Sequence, residues 1–269
     1  MKAIIAGLLA AAVLLPACGG KENKAKETEF LTIRKEASFK LTVPEDIAQG
    51  RPYYSTSKVD LTIPADSVSE ISRLILSTAF PDDSISQGIS AAADRFLSTP
   101  VDFVQTGAEK VGFVPDKPED IVLLSKNIVI DTLCHNNLTT FHIVSQGYTG
   151  GAHGYYSAAY INYDTESGTV VNAENLFADK NGVRHLILES IARKNNCKIE
   201  DLEKNGVVFS TDDVNVPKNF YPEADSLVFY YNPYEISSWA QGEVKVPVSA
   251  TSLAMYATDY GKNFLKGMK

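Results

Sequence analysis

The sequence predicts an α+β fold: antiparallel sheets built from hairpins, helices packed on one face, and two closely associated subdomains. Three observations lead there. Ile121–Thr132 and Leu138–Gln146 are β-rich runs separated by Leu133-Cys134-His135-Asn136-Asn137, a stretch suited to a hairpin turn. Ser157–Tyr163 and Thr169–Asn172 are joined in the same way through Asp164-Thr165-Glu166-Ser167-Gly168, with glycine placed for positive φ. The helical stripes fall in groups instead of following each strand, which argues against an alternating parallel α/β sheet. Hydrophobic residues at 44% and charged residues at 22% are ordinary for a globular chain.

The first element in order is an address. Met1-Lys2 supplies a positive start, and Ala3 to Leu15 is an apolar run broken only by the small Gly7. Its length suits the roughly 7–15-residue core of a secretory signal and is too short to span a bilayer. Leu15-Pro16-Ala17-Cys18, followed by Gly19-Gly20, resembles the bacterial lipobox, with Pro16 a mild departure. That resemblance implies a signal peptide over residues 1–17, cleavage before Cys18, and diacylation (palmitate-type chains) of the Cys18 sulfur. The chain is then expected at the cell envelope as a lipoprotein, on the outer-membrane, periplasmic or surface face. Residues 18–29 are almost wholly polar and read as a flexible tether, holding the body about 15–20 Å from the lipid by random-coil scaling.

Residues 30–168 and 169–269 are expected as an N-terminal and a C-terminal α+β domain. In the first, Ser67-Val68-Ser69-Glu70 reads as a capping box, followed by Val68, Ile71, Ile75 and Ala79 at helical spacing up to Phe80-Pro81. Asp82-Asp83-Ser84 offers the next cap, and Ile85, Ile89, Ala92, Ala93 and Phe96 form a second stripe closed by Ser98-Thr99-Pro100. In the second domain, Val183, Leu186, Ile187, Ser190 and Ile191 mark a helix ending near Asn195-Asn196. Leu227–Tyr231 reads as a strand. Val244, Val246 and Val248 alternate with Glu243, Lys245 and Pro247, a half-buried strand whose proline favours a sheet edge. With Cys18 lipidated, Cys134 and Cys197 remain, either as a disulfide or as two free thiols.

Charge and motif content narrow the function. Twenty-five Lys+Arg against 33 Asp+Glu give a net charge of −8, which argues against a nucleic-acid partner. The four histidines, His135, His142, His153 and His185, show no HxH or HExxH spacing, so neither metal nor cofactor is expected. No GxSxG elbow or phosphate-binding loop occurs, and no catalytic residue is assigned. Two passages stand out instead. Tyr148-Thr149-Gly150-Gly151-Ala152-His153-Gly154 is either a binding rim or, more plainly, a tight turn between strands. Phe229-Tyr230-Tyr231-Asn232-Pro233-Tyr234-Glu235-Ile236, followed by Trp239, concentrates five aromatics that serve as core or as an exposed recognition surface.

These passages, in this order, resemble a bacterial extracytoplasmic domain pair of unknown function. The pair occurs in the ectodomain of RsiV-type anti-sigma factors and ahead of the catalytic domain in PdaC-type peptidoglycan deacetylases. Thr149 to His153 matches its TGGAH turn, and Tyr234-Glu235-Ile236 through Gly242 matches its Tyr-Glu-Ile segment. Tyr163-Asp164 to Gly168 and Asn175-Leu176-Phe177 match its "D…G…LF" stretch. Gly154, where proline is common, and Ser238-Trp239, where Pro-Tyr is usual, depart from it. The resemblance covers most of residues 30–253 and implies a lysozyme-type protein partner, as for RsiV ectodomains, without a carried-over catalytic residue.

The expected function is therefore a lipid-anchored envelope binding protein, recognising a lysozyme-like protein or a cell-wall glycan. Tyr148, Thr149, Gly150, Gly151, His153, Tyr234, Glu235 and Trp239 are its candidate contacts. The alternative is an envelope hydrolase acting on peptidoglycan or polysaccharide through carboxylate or histidine groups that carry no sequence signature.

Overall fold

The computed structural model describes residues 29–65, 69–81, 88–101 and 122–268. The expected signal peptide, the expected lipidation site Cys18, the expected tether up to Thr28, and the expected caps at Ser67 and Asp82–Ser84 lie outside them. The fold is mixed α+β, with one six-stranded and one three-stranded sheet. It divides into two compact units: described residues up to Leu133 with Phe141–Ala159, and Cys134–Thr140 with Tyr160 onward.

The first unit begins with β1 (Phe30–Leu41), a helical turn α1 (Glu45–Ala48), and β2 (Tyr53–Pro64). β1 and β2 pair antiparallel over twelve residues, from Phe30 opposite Pro64 to Leu41 opposite Tyr53. Inward positions of β2 alternate through Tyr53, Ser55, Ser57, Val59, Leu61 and Ile63, all buried. Then come α2 (Glu70–Ala79) and α3 (Gly88–Ser98). Ser69 caps α2, its hydroxyl accepting the Ser72 amide at 3.3 Å. α3 packs on β1 and β2; Ala92 and Ala93 are fully buried, and Lys35 reaches Asp94 at 2.7 Å.

β3 (Val122–His135), β4 (Leu138–Tyr148), β5 (Tyr155–Asp164) and β6 (Thr169–Val171) complete the large sheet, whose order is β1-β2-β3-β4-β5-β6. One expectation is corrected here. The sheet is not wholly antiparallel, because β2 and β3 run parallel, from Tyr53 opposite Val122 to Leu61 opposite Ile130. Parallel neighbours need a long crossover, and the chain between them carries α2 and α3. The β3–β4 turn is also tighter than expected: the strands run to His135 and from Leu138, with Asn136 at φ 51°.

The second unit is organised around β7 (Phe220–Glu223), β8 (Ser226–Tyr231) and β9 (Val244–Ser249), an antiparallel sheet with β8 in the middle. Between β6 and β7 lie a helical turn α4 (Ala173–Leu176) and the long α5 (Lys180–Lys194). Asn172 and Asn175 cap α4 reciprocally, and the Asp179 carboxylate accepts the Asn181 and Gly182 amides at the start of α5. α5 buries Val183, Ile187, Leu188 and Ile191 in one core with Leu202, Phe220, Leu227, Phe229 and Val246. As its proline suggested, β9 is an edge strand. The chain closes with α6 (Ala250–Leu253) and α7 (Asp259–Gly267), which packs on α4. Among the described residues no helix is long and apolar enough to cross a membrane.

Candidate functional site

In the second unit, the chain leaves β8 into Asn232-Pro233-Tyr234-Glu235. The Glu235 amide donates to the Asn232 carbonyl at 3.1 Å, closing a β-turn. Pro233 presets the second position, and Tyr234 at the third has φ 71°. Positive φ there is the mark of a type II turn, where glycine or asparagine is ordinarily required. A tyrosine in the left-handed region is strained, because its Cβ crowds the backbone. Yet the residue is 57% exposed, so core packing does not explain it.

The surrounding loop holds this turn firmly. The Tyr234 amide donates to the Ser237 carbonyl at 3.0 Å, and Ile236 is buried as the loop's anchor. The Phe209 amide donates to the Ile236 carbonyl at 2.8 Å, while the Phe209 side chain stands 54% exposed. Trp239, half-buried, meets the Tyr234 ring at a centroid distance of 6.0 Å and 31°. Gly242 ends the loop at φ 70° and ψ −152°, a conformation open essentially to glycine. Tyr234 and its supporting indole are thus fixed on one bonded loop, with the exposed Phe209 on a separate segment hydrogen-bonded to it. That arrangement favours flat, partly apolar contact with a ligand.

The Gln241 amide group ties the loop to the Gly206 carbonyl at 2.7 Å, and further polar bonds fasten the segments around it. The Tyr231 hydroxyl donates to the Asn215 carbonyl at 2.6 Å; burial, with the Glu235 carboxylate second, pushes its pKa well up, so it stays neutral. Glu235 is exposed and accepts from the Asn232 amide group at 3.1 Å. Arg184 donates to the Thr211 carbonyl at 2.6 Å. Glu203 gathers the Thr211 amide, the Thr211 hydroxyl and the Ser210 hydroxyl, which together hold its carboxyl below the ordinary range.

Tyr148 ends β4 in the first unit, and Thr149, Gly150, Gly151 and His153 lie on the connection from β4 to β5. Gly150 has φ 100°, and a Cβ on Gly154 would stand 2.6 Å from the Gly147 carbonyl oxygen. Those glycines answer the needs of a tight turn. His153 is exposed, with Nδ1 at 2.7 Å from the Gly154 carbonyl, whereas Tyr148 is half-buried. Tyr234, Glu235 and Trp239 are brought together in the second unit as described. Cys134 and Cys197 are both free thiols, so the bridge left open by the sequence is not formed; burial raises the Cys134 pKa. Phe209 escaped the sequence reading because it follows Val207-Val208 and reads as the end of a short apolar run.

Other chemistry is sparse. A cleft of about 290 Å³ collects His135, Asp164, Glu166, Phe264 and Met268. Its Asp164 carboxylate is occupied by the Glu166 and Ser167 amides and the Ser167 hydroxyl, which is turn geometry. Among the described residues no group of three or more His, Cys, Asp or Glu is placed to hold a metal ion.

Comparison with known proteins matches one stretch of the chain to a family and its fold to solved structures. Residues 174–251, the stretch that carries the Tyr234 turn, match the family described as protein of unknown function (DUF3298). The fold is shared with a solved DUF3298-family member from Bacteroides fragilis, at TM-score 0.66 and 20% identity over 90% of this chain and 97% of that one. A DUF3298-family protein from Pseudomonas aeruginosa aligns at TM-score 0.58 and 12% identity, over 86% and 95% of the two chains. No curated protein matches the chain.

Proposed function

We propose that this protein is a lipid-anchored binding module of the bacterial envelope, which uses the Tyr234–Trp239 loop to engage a lysozyme-like protein or a cell-wall glycan. The observation that carries the reading is Tyr234: a strained, exposed aromatic at a position that favours glycine on local energetics. Strain of this kind clusters at ligand clamps and functional sites, where the surrounding structure holds it in place. The acyl chains at Cys18 would fix the module to a membrane, since two chains hold where one is marginal. The net charge of −8 suits a basic partner such as a lysozyme and would mainly speed encounter. The lysozyme-type partner follows from the likeness to RsiV ectodomains in the TGGAH and Tyr-Glu-Ile segments.

The test is a binding measurement on immobilised protein with c-type lysozyme and with soluble peptidoglycan fragments. Wild type binds at least one of them, and Trp239→Ala weakens that binding at least tenfold with an unchanged circular dichroism spectrum. A folded Trp239→Ala protein that binds as wild type does would remove the loop as the site.

A further inference from the structure

The second unit also holds a groove of about 630 Å³, within the range of built ligand sites, whose lining includes neither Tyr234 nor Trp239. One wall is the C-terminal half of α5, through Ser190, Ile191, Arg193 and Lys194; the other is β9 from Val244 to Pro247.

Among the described residues the β9 wall is a strand edge, and β9 pairs with no strand other than β8. The Tyr230 amide donates to the Asn219 carbonyl at 2.9 Å, on the β7 side of β8. Tyr230 is opposite Lys245, so that pair exchanges no backbone bonds. The N–H and C=O of Lys245 therefore project from the free edge. Two residues on, the Pro247 carbonyl projects the same way and is already taken by the Ser190 hydroxyl at 2.9 Å. Proline and this hydroxyl close one end of the edge, which suits a short added segment and discourages sheet-to-sheet association.

Charge selects the occupant. Arg193, Lys194 and Lys245 line the groove against the single carboxylate of Glu243, in a chain whose net charge is −8. Glu243 is already satisfied by its own backbone N–H and by Lys245 at 3.3 Å, which keeps its pKa low. Arg193 and Lys194 form no ion pair among the described residues. Ile191, Val207 and Val244 supply apolar floor between them.

We infer that this groove takes an extended acidic segment of a partner protein by strand addition to β9. The segment pairs its backbone with Lys245 and sets carboxylates against Arg193 and Lys194. This site is independent of the Tyr234 reading and stands if that reading fails.

The probe is a blocked, fluorescein-labelled peptide, Glu-Val-Thr-Val-Glu, titrated by anisotropy against the full chain in detergent micelles. Saturable binding is expected. It falls at least tenfold for Arg193→Glu/Lys194→Glu, for the peptide with lysine in place of glutamate, and for the peptide N-methylated at its central residue. The two peptide controls need no protein variant, so a misfolded double variant does not blunt the test. Absence of saturation, or equal binding of the lysine peptide, overturns the proposal. Equal binding of the N-methylated peptide does so as well, since strand addition requires that N–H.

Discussion

Replacing Tyr234 by glycine and, separately, by alanine separates backbone strain from side-chain use. Both variants delete the ring and its contact with Trp239, so that loss cancels in the comparison. Alanine keeps the left-handed backbone at φ 71° with a Cβ, which costs about 1–2 kcal/mol relative to glycine. Glycine gives back about 0.4–1 kcal/mol through the larger entropy of its unfolded chain. The net expectation is that Tyr234→Gly is more stable than Tyr234→Ala by about 0.5–1 kcal/mol. The sign is the informative part, because glycine is ordinarily the less stable of the two by about 0.5–1 kcal/mol in regular structure. Urea denaturation followed by circular dichroism measures the difference. An alanine variant as stable as the glycine variant, or more so, would show that the turn stores no strain and would remove the functional argument built on it.

Three further outcomes are expected. Glu203→Gln loosens the turn at Ser210–Asp213 with a sign set by pH. Because the folded carboxyl titrates below the ordinary value of about 4.3, its contribution is complete above that pH and is lost as pH falls through the folded value. The difference in thermal midpoint between wild type and Glu203→Gln should hold from neutral pH down to about 4.3 and close below it; a pH-independent gap would contradict this. Gly261→Ala should destabilise by about 1–3 kcal/mol despite alanine's helix propensity. Its Cβ would stand 2.0 Å from the Leu176 carbonyl oxygen, where α7 crosses α4; an unchanged urea midpoint would refute that crossing. Cys18→Ser should move the protein out of the membrane fraction of its bacterial host and abolish acyl mass on the chain, whereas membrane retention would exclude Cys18 as the anchor.

How much was legible follows from which signals are local. Helices α2, α3 and α5 were readable because Ile71 and Ile75, Ile89 and Ala93, and Ile187 and Ile191 repeat at helical spacing. β1 and β2 were not, since β2 buries Ser55 and Ser57 at inward positions and so breaks the apolar alternation. Ser55 is inward for a reason visible only in three dimensions: its hydroxyl accepts the Val101 amide at 2.8 Å. The parallel β2–β3 pairing likewise depends on a crossover, which periodicity does not encode. At the candidate site the aromatic cluster was legible, but tyrosine in the third position concealed the Asn232–Glu235 turn. The groove beside β9 joins residues about fifty positions apart, and no local pattern points to it.

The central claim is that the Tyr234 ring is where a partner touches this module. The direct measurement is photo-crosslinking in the bacterial host, with a benzophenone amino acid placed at residue 234 and, as control, at Met255, which is 71% exposed in the same unit. Position 234 is expected to yield a discrete adduct with an envelope protein or glycan that position 255 does not. Equal labelling from both positions, or none from 234, would contradict the account.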